Sequence, residues 1–190
     1  MMSTEEYALL RAELGSLRKQ RAQSAYGLIP ASVTHLERLL LASASQDERA
    51  ALYALLFSEC SRAKNDQLYI DCLRRGVRDF PRSPQFHVDL AFGLALIEPR
   101  QGEEALATAE KALDLAKSQN LQVRYCATNL ARIALMLDAY EVLNRALGEL
   151  VADASNERVQ DTGYEFDFVD RIDVQRVDAG LLARYKELAK

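Results

Sequence analysis

Apolar side chains recur at three- and four-residue steps through most of the chain, and this pattern is interrupted at regular places by Pro, Gly, Ser and Asn. The first such run contains Tyr7, Leu10, Leu14 and Leu17, which fall on one face of a helix. The chain has only 8 Gly and 4 Pro, and most of them lie at the interruptions. The sequence therefore predicts an all-α fold made of amphipathic helices with short connections.

The interruptions also predict where the helices begin and end. Ser3 with Glu6, and Ser45 with Glu48, have the spacing of a capping box. Pro30 fits the first turn of the second helix, where its missing N–H has no cost. Further helix starts are predicted at Asn65, Ser83–Pro84, Asp138 with Glu141, and Asp178. We therefore expect eight helices up to about residue 151 and a short last helix over 181–188.

Three of the predicted helix pairs can be superimposed as repeats. Their second helices share a position occupied by Gly76, Ala112 and Leu150, at intervals of 36 and 38 residues. Their first helices share a position occupied by Phe57, Gly93 and Ala131. Small residues at such positions are expected where neighbouring helix backbones approach closely.

The segment GLALIEPRQGEEALATAEKALDL resembles a tetratricopeptide repeat, with Ala105, Ala112 and Leu113 in its second helix. RRGVRDFP resembles the end of another repeat, and LARIALMLDAYEVLNRAL resembles a third, in which Ala131, Ala134, Tyr140 and Leu143 match the pattern. Two features depart from the family: both intervals exceed its period of about 34 residues, and Phe57 is large where the pattern has Gly or Ala. If Ala146 is taken as the shared position of the third repeat in place of Leu150, its interval from Ala112 is 34 residues, but Tyr140 no longer matches the family pattern. An irregular helical bundle is the alternative.

The resemblance implies a short α-solenoid of antiparallel, tetratricopeptide-like helix pairs over 50–153. An N-terminal helix pair or cap over 1–49 precedes it, and an acidic aromatic extended segment with a final helix follows over 154–190, in one compact unit overall. In that family the first helices of the pairs line a groove. The partner-binding groove residues implied here are Ser58, Arg62, His87, Tyr125, Thr128 and Arg132. Such a groove can hold a partner's carboxylate or an extended peptide.

The segment after residue 151 differs from the rest, because residues 153–178 hold eight acidic residues against three arginines. Apolar and acidic side chains alternate in GYEFDFVDRIDV, which favours an extended conformation. One interpretation is that its aromatic rings pack across the last helix pair. The other is a partner-binding tail, made of Tyr164, Glu165, Phe166, Asp167, Asp170 and Asp173, that engages a basic protein.

The sequence offers little for catalysis. His35 and His87 are isolated, with no zinc-ligand spacing, and no phosphate-binding loop, dinucleotide-binding turn or nucleophile elbow is present. We therefore expect no enzyme activity, no metal site and no cofactor. Cys60, Cys72 and Cys126 are an odd number without CxxC spacing, which indicates reduced thiols in a reducing compartment.

The formal net charge of -4 argues against nucleic acid as the partner. The N-terminus lacks the features of a signal peptide, and no apolar run is long enough to span a membrane, so we expect a cytoplasmic protein. The expected function is protein binding, most specifically as a bacterial immunity protein that neutralises a toxin, with a basic toxin or an extended peptide as partner. The alternatives are a secretion chaperone or assembly adaptor, and a self-associating scaffold that forms homo-oligomers.

Overall fold

A computed structural model describes residues 3–97, 100–153 and 168–188. Within these ranges the regular secondary structure is helical apart from one short hairpin, which confirms the all-α prediction. The helices are α1 (Thr4–Leu17), α2 (Ala31–Ala42), α3 (Gln46–Arg62), α4 (Asp66–Asp79), α5 (Pro84–Leu96), α6 (Gly102–Gln119), α7 (Val123–Met136), α8 (Tyr140–Asp153) and α9 (Ala179–Glu187). The hairpin strands are β1 (Arg21–Ser24) and β2 (Gly27–Pro30).

Most of the predicted helix starts are confirmed by side-chain hydrogen bonds to the first turn. The full capping box is present at Ser3, where both reciprocal bonds with Glu6 form. The side chains that predicted caps for α3, α4, α5 and α9 each accept a backbone N–H three residues on: Ser45, Asn65, Ser83 and Asp178. At Ser45 only half of the box forms, because the Glu48 carboxylate accepts from the Ser43 hydroxyl instead.

The prediction that Asp138 caps α8 is wrong. Asp138 has a φ of 56° and lies two residues before the helix, so it has the left-handed conformation of a residue that ends the preceding helix. The N–H of Ala139 bonds to the carbonyl of Ala134, and the N–H of Asp138 bonds to that of Leu135. These two bonds form a Schellman motif, which satisfies the last carbonyl groups of α7.

The hairpin between α1 and α2 was not predicted. Its strands pair antiparallel from Arg21 with Pro30 to Ser24 with Gly27, and the φ of Gly27 is 85°. Glycine suits this turn because a side chain would be strained at positive φ. The predicted start of α2 near Pro30 is confirmed, but Pro30 ends the second strand and lies at the N-cap position, one residue before the first turn in which it was expected.

The chain divides into two compact units, residues 1–78 and 79–190, whereas the repeat pattern placed its boundaries after 49 and 153. In the first unit α2 packs on α1, α3 and the hairpin. In the second unit each helix from α5 to α8 packs on the next, α5 also packs on α7, and α9 packs on α8. The core of this second unit is rich in fully buried alanines, among them Ala105, Ala112, Ala116, Ala127, Ala131, Ala134 and Ala146.

The C-terminal segment is described from Phe168 onward. It is irregular, with one turn of 3-10 helix at Val169–Arg171. Phe168 is buried, its ring centroid is 6.1 Å from that of Tyr185 in α9, and Arg132 of α7 lies 5.9 Å from its centre. Phe168 therefore packs on Arg132 of α7 and on Tyr185 of α9, so the predicted packing on the last helix pair is found on its α7 side.

Candidate functional site

The residues predicted for a single groove are shared between the two units. Ser58 and Arg62 lie exposed on α3 in the first unit. His87 lies on α5, and Tyr125, Thr128 and Arg132 lie on α7, all in the second unit.

Three of the predicted groove residues in the second unit are inside the protein: His87, Thr128 and Arg132. His87 is 1% exposed, and its Nδ1 lies 2.9 Å from the Ser83 carbonyl oxygen, to which it donates. Burial lowers the pKa of His87, which favours the neutral ring. Thr128 is also 1% exposed, and Arg132 lies beneath the Phe168 ring. The side chains of His87 and Thr128 consequently pack in the interior at α5 and α7, and that of Arg132 holds the C-terminal segment through Phe168.

Tyr125 belongs to a polar patch that joins α5 to α7. The Gln85 amide donates to the Tyr125 hydroxyl at 2.8 Å and to the Asp89 carboxylate at 3.0 Å. Burial raises the pKa of Asp89 to about 6, although the bond from Gln85 acts in the opposite direction. We call these three residues the α5–α7 patch. A carboxylate held partly out of water is suited to receive a cationic side chain.

Asp89 was missed by the sequence analysis, although a signal was present. It is the one acidic residue of α5, whose sequence is PQFHVDLAFGLAL, and it stands four residues after Gln85. A single carboxylate in an otherwise apolar helix has to be neutral, paired or exposed. That reasoning would have selected Asp89 ahead of His87.

The predicted tail is only partly within the described residues. Tyr164, Glu165, Phe166 and Asp167 lie outside them. Asp170 and Asp173 are exposed, and the Asp173 carboxylate accepts from the N–H of Gln175 at 3.0 Å. Their exposure is compatible with a role in binding.

The first unit contains a cavity that the sequence analysis did not identify. It has a volume of about 720 Å³ and is open to solvent. Three helices form its walls, each through residues on one face: Glu6, Leu9, Leu10 and Glu13 of α1, His35 and Leu39 of α2, and Glu48 and Leu52 of α3. Half of these lining residues are leucines and three of the others are glutamates. We call it the acidic leucine cavity.

The charges around this cavity are only partly neutralised. Glu13 has His35 at 3.5 Å, which forms an ion pair only when the imidazole is protonated. Glu6 is held in the capping box, which lowers its pKa through the bonds from Ser3. Glu48 accepts from a hydroxyl group, which carries no charge. Leu9 is 66% exposed, so its side chain is accessible to a binding partner.

A buried ionic network holds together the same three helices. Arg18, which follows α1, donates to the Glu59 carboxylate of α3 at 2.9 and 2.5 Å, and Ser32 of α2 donates to it at 2.8 Å. Glu59 is 2% exposed. Burial by itself would raise the pKa of Glu59, but the bonds from Arg18 and Ser32 outweigh it and the pKa is lowered. This network therefore connects the end of α1 to α2 and α3, the same three helices that line the cavity.

Over 3–97, 100–153 and 168–188 no three His, Cys, Asp or Glu side chains converge in a way that would bind a metal ion. None of the described helices combines the length and the apolar composition needed to cross a lipid bilayer. No protein-family model, curated protein or solved structure matches the chain in sequence or fold comparisons.

Proposed function

We propose that the chain is a non-catalytic protein-binding module, built as a short tetratricopeptide-like solenoid, that recognises a basic partner. The helix order supports the repeat architecture, because α5 packs on both α6 and α7 as alternate helices of a solenoid do. The shared repeat positions are also all in the interior. Ala112, Leu150 and Ala131 are completely inaccessible to solvent, and Gly76 and Gly93 are buried.

The acidic leucine cavity is the observation that carries the binding function. Its leucines offer apolar surface that a partner's side chain can cover, and its glutamates favour positive charge beside that side chain. A protein segment with one or two large apolar residues flanked by Lys or Arg has both properties. The occupant that we propose is such a basic amphipathic segment.

The specific biological role that we propose is that of an immunity protein, which binds a basic toxin and neutralises it. The acidic cavity and the acidic exposed residues Asp170 and Asp173 support this role through charge complementarity. The direct test is to mix the purified chain with a basic toxin encoded in the adjacent reading frame and to measure toxin activity. Full toxin activity at an equimolar ratio contradicts the role of inhibitor.

The cavity itself can be tested with a synthetic peptide. The probe is a labelled helical peptide with leucines on one face and lysines flanking them, and its control has glutamates in place of the lysines. Fluorescence anisotropy should show binding of the basic peptide only, weakening as salt is added because the attraction is screened. Equal binding of the two peptides contradicts the proposed charge selectivity.

Matched variants locate the binding. Leu9→Ala removes an exposed cavity side chain and should weaken binding about tenfold, since a hot-spot leucine contributes 1 kcal/mol or more. Leu41→Ala is the control, because Leu41 is 88% exposed and does not line the cavity. In the same way Glu13→Gln should weaken binding and Glu5→Gln should not. Equal effects of each variant and its control refute the assignment of the cavity.

The second candidate function is that of a chaperone or adaptor that holds an extended peptide, and the α5–α7 patch favours it. Asp89 can accept a lysine or a free amino group, and Gln85 and Tyr125 can bond to a peptide backbone. Asp89→Asn separates the two candidates. It should abolish binding of an extended basic peptide at the patch, while leaving binding of the helical peptide at the acidic leucine cavity unchanged.

A further inference from the structure

The thiols of Cys60 in α3 and Cys72 in α4 lie next to each other. Their Sγ atoms are 3.0 Å apart, both residues are free thiols, and both are buried. A disulfide bond is about 2.05 Å long, so a relative shift of about 1 Å would bring the two atoms to bonding distance. The sequence gives no indication of this pairing, because twelve positions separate the two cysteines and no CxxC spacing is present.

The surroundings of the two sulfur atoms differ. Arg75 follows Cys72 by one helical turn, and its Nη2 lies 3.8 Å from the Cys72 Sγ and 3.0 Å from the Glu37 carboxylate. The hydrogen bond from Cys60 and the charge of Arg75 hold the pKa of Cys72 below its ordinary value despite burial. Donating that bond raises the pKa of Cys60, and burial acts in the same direction. Within the pair, Cys72 is therefore the thiol that ionises more readily, and Cys60 is the one that keeps its proton longer.

A small polar cavity leads to Cys72. It has a volume of about 310 Å³ and is lined by Tyr26, Glu37, Asp71, Cys72, Arg74, Arg75 and Arg78. Its lining is hydrophilic and contains three guanidinium groups, so it suits a small polar reactant of the size of hydrogen peroxide. Cys60 is not among the lining residues and is completely buried.

We propose that Cys72 and Cys60 form an oxidisable dithiol site, in which Cys72 reacts with a hydroperoxide that enters through this cavity and Cys60 then closes a disulfide. In the first step the Cys72 thiolate attacks a peroxide oxygen, the O–O bond breaks, and the leaving hydroxide takes up a proton to form water. Cys72 becomes a sulfenic acid. In the second step the Cys60 sulfur attacks the Cys72 sulfur, the S–O bond breaks, and the leaving hydroxide takes the Cys60 proton. Two thiols and one hydrogen peroxide thus give one disulfide and two water molecules.

Cys126 provides an internal comparison. It lies on α7 in the second unit, is completely buried, and burial raises its pKa to about 12. A thiol that stays protonated is a poor nucleophile. Peroxide should therefore distinguish Cys72 from Cys126.

The test uses the reduced full-length chain, treated with a few equivalents of hydrogen peroxide and then denatured and alkylated. Intact mass spectrometry should show loss of the mass of two hydrogens with a single alkylated cysteine, and peptide mapping should show a Cys60–Cys72 cross-link with Cys126 alkylated. Oxidation of the three cysteines at equal rates, or a disulfide that includes Cys126, overturns the proposal. The same reaction in strong urea should lose its selectivity, because the selectivity comes from the folded arrangement.

Variants assign the two roles. Cys60→Ser should accumulate a sulfenic acid at Cys72 that dimedone traps, because the resolving thiol is missing. Cys72→Ser should form no disulfide, and Cys126→Ser should behave as the original chain does. Arg75→Gln should move the pH dependence of Cys72 alkylation to higher pH, a change that a merely structural role would not produce. If Cys60→Ser gives no more dimedone adduct at Cys72 than at Cys126, the assigned order of reaction is wrong.

Discussion

Replacement of Asp89 by Asn should make the protein more stable at neutral pH and should have almost no effect in acid. The pKa of Asp89 is raised from 3.8 to about 6 by burial, so the folded state holds its proton more tightly than the unfolded chain does. Below the unfolded pKa both states are protonated and no stability is lost. As the pH rises towards about 6, Asp89 ionises first in the unfolded chain, which lowers the free energy of unfolding. The full cost of the buried charge is present above the pKa that Asp89 has in the folded state.

The size of the effect follows from that difference in pKa. A difference of about two pKa units corresponds to roughly 3 kcal/mol of unfolding free energy, which is an upper value because the surroundings relax. The Asn side chain has nearly the shape of a protonated carboxyl group, and its oxygen can still accept from Gln85. Asp89→Asn should therefore stabilise the fold by roughly 1–3 kcal/mol at about pH 8 and by close to zero at about pH 3.

Urea unfolding followed by circular dichroism measures this difference, since the chain has no Trp to serve as a fluorescent probe. Asp114→Asn is the matched control, because Asp114 is exposed on α6 in the same unit. Its change should stay within about 0.5 kcal/mol at both pH values. A loss of stability in Asp89→Asn at high pH would refute the reasoning, since it would mean that the Asp89 carboxylate has a favourable charged interaction in the free protein.

Three further predictions concern stability. Arg18→Met leaves the Glu59 carboxylate buried without its cation and should cost about 3–5 kcal/mol of unfolding free energy at neutral pH. The pKa of Glu59 is lowered in the folded state, so its ionised carboxylate stabilises the fold above the unfolded pKa, and this stabilisation is lost as the pH falls. The loss of unfolding free energy in Arg18→Met, measured by urea titration, should therefore become smaller in acid. A loss that is the same at every pH would point to lost packing alone. Gly27→Ala should destabilise the fold by about 1 kcal/mol because the φ of Gly27 is 85°. Gly148→Ala within α8 should instead stabilise the fold by up to about 1 kcal/mol, because a Cβ there meets open space. Melting temperatures that shift in the same direction in the two variants would contradict these predictions. Tyr185→Ala removes a completely buried ring and should cost about 3–5 kcal/mol, and a melting temperature unchanged by it would show that α9 does not contribute to the fold.

The helices could be predicted from the sequence because the information that specifies them is local. Ser3 and Glu6, or Ser83 and Pro84, interact within one turn, so their spacing alone indicates a helix start. Asp138 had the same spacing to Glu141, but its position is determined by how α7 ends. The hairpin escaped prediction because its strands have four residues each and Arg21, Gln23 and Ser24 have no apolar alternation.

The candidate sites depend on contacts between distant residues, which periodicity does not encode. Arg18 and Glu59 are 41 positions apart, and Gln85 and Tyr125 are 40 apart. Each residue of the acidic leucine cavity could be placed on a helix from the sequence, but which faces of α1, α2 and α3 oppose one another is decided by packing. His87 illustrates the same limit, because its helix was predicted correctly and its burial was not.

The docking of α9 on α8 has a consequence for assembly. A helical stack whose last helix is bare offers an apolar face to the next copy, and head-to-tail contacts of that kind grow into fibres unless a rotation closes them. Here Tyr185 and Leu182 of α9 are buried, Arg176 lies 3.7 Å from the centre of the Tyr140 ring, and the N–H of Asp178 bonds to Asn144. These contacts cover a face of α8. We therefore expect the docking of α9 to hinder the addition of a second copy against this face of α8.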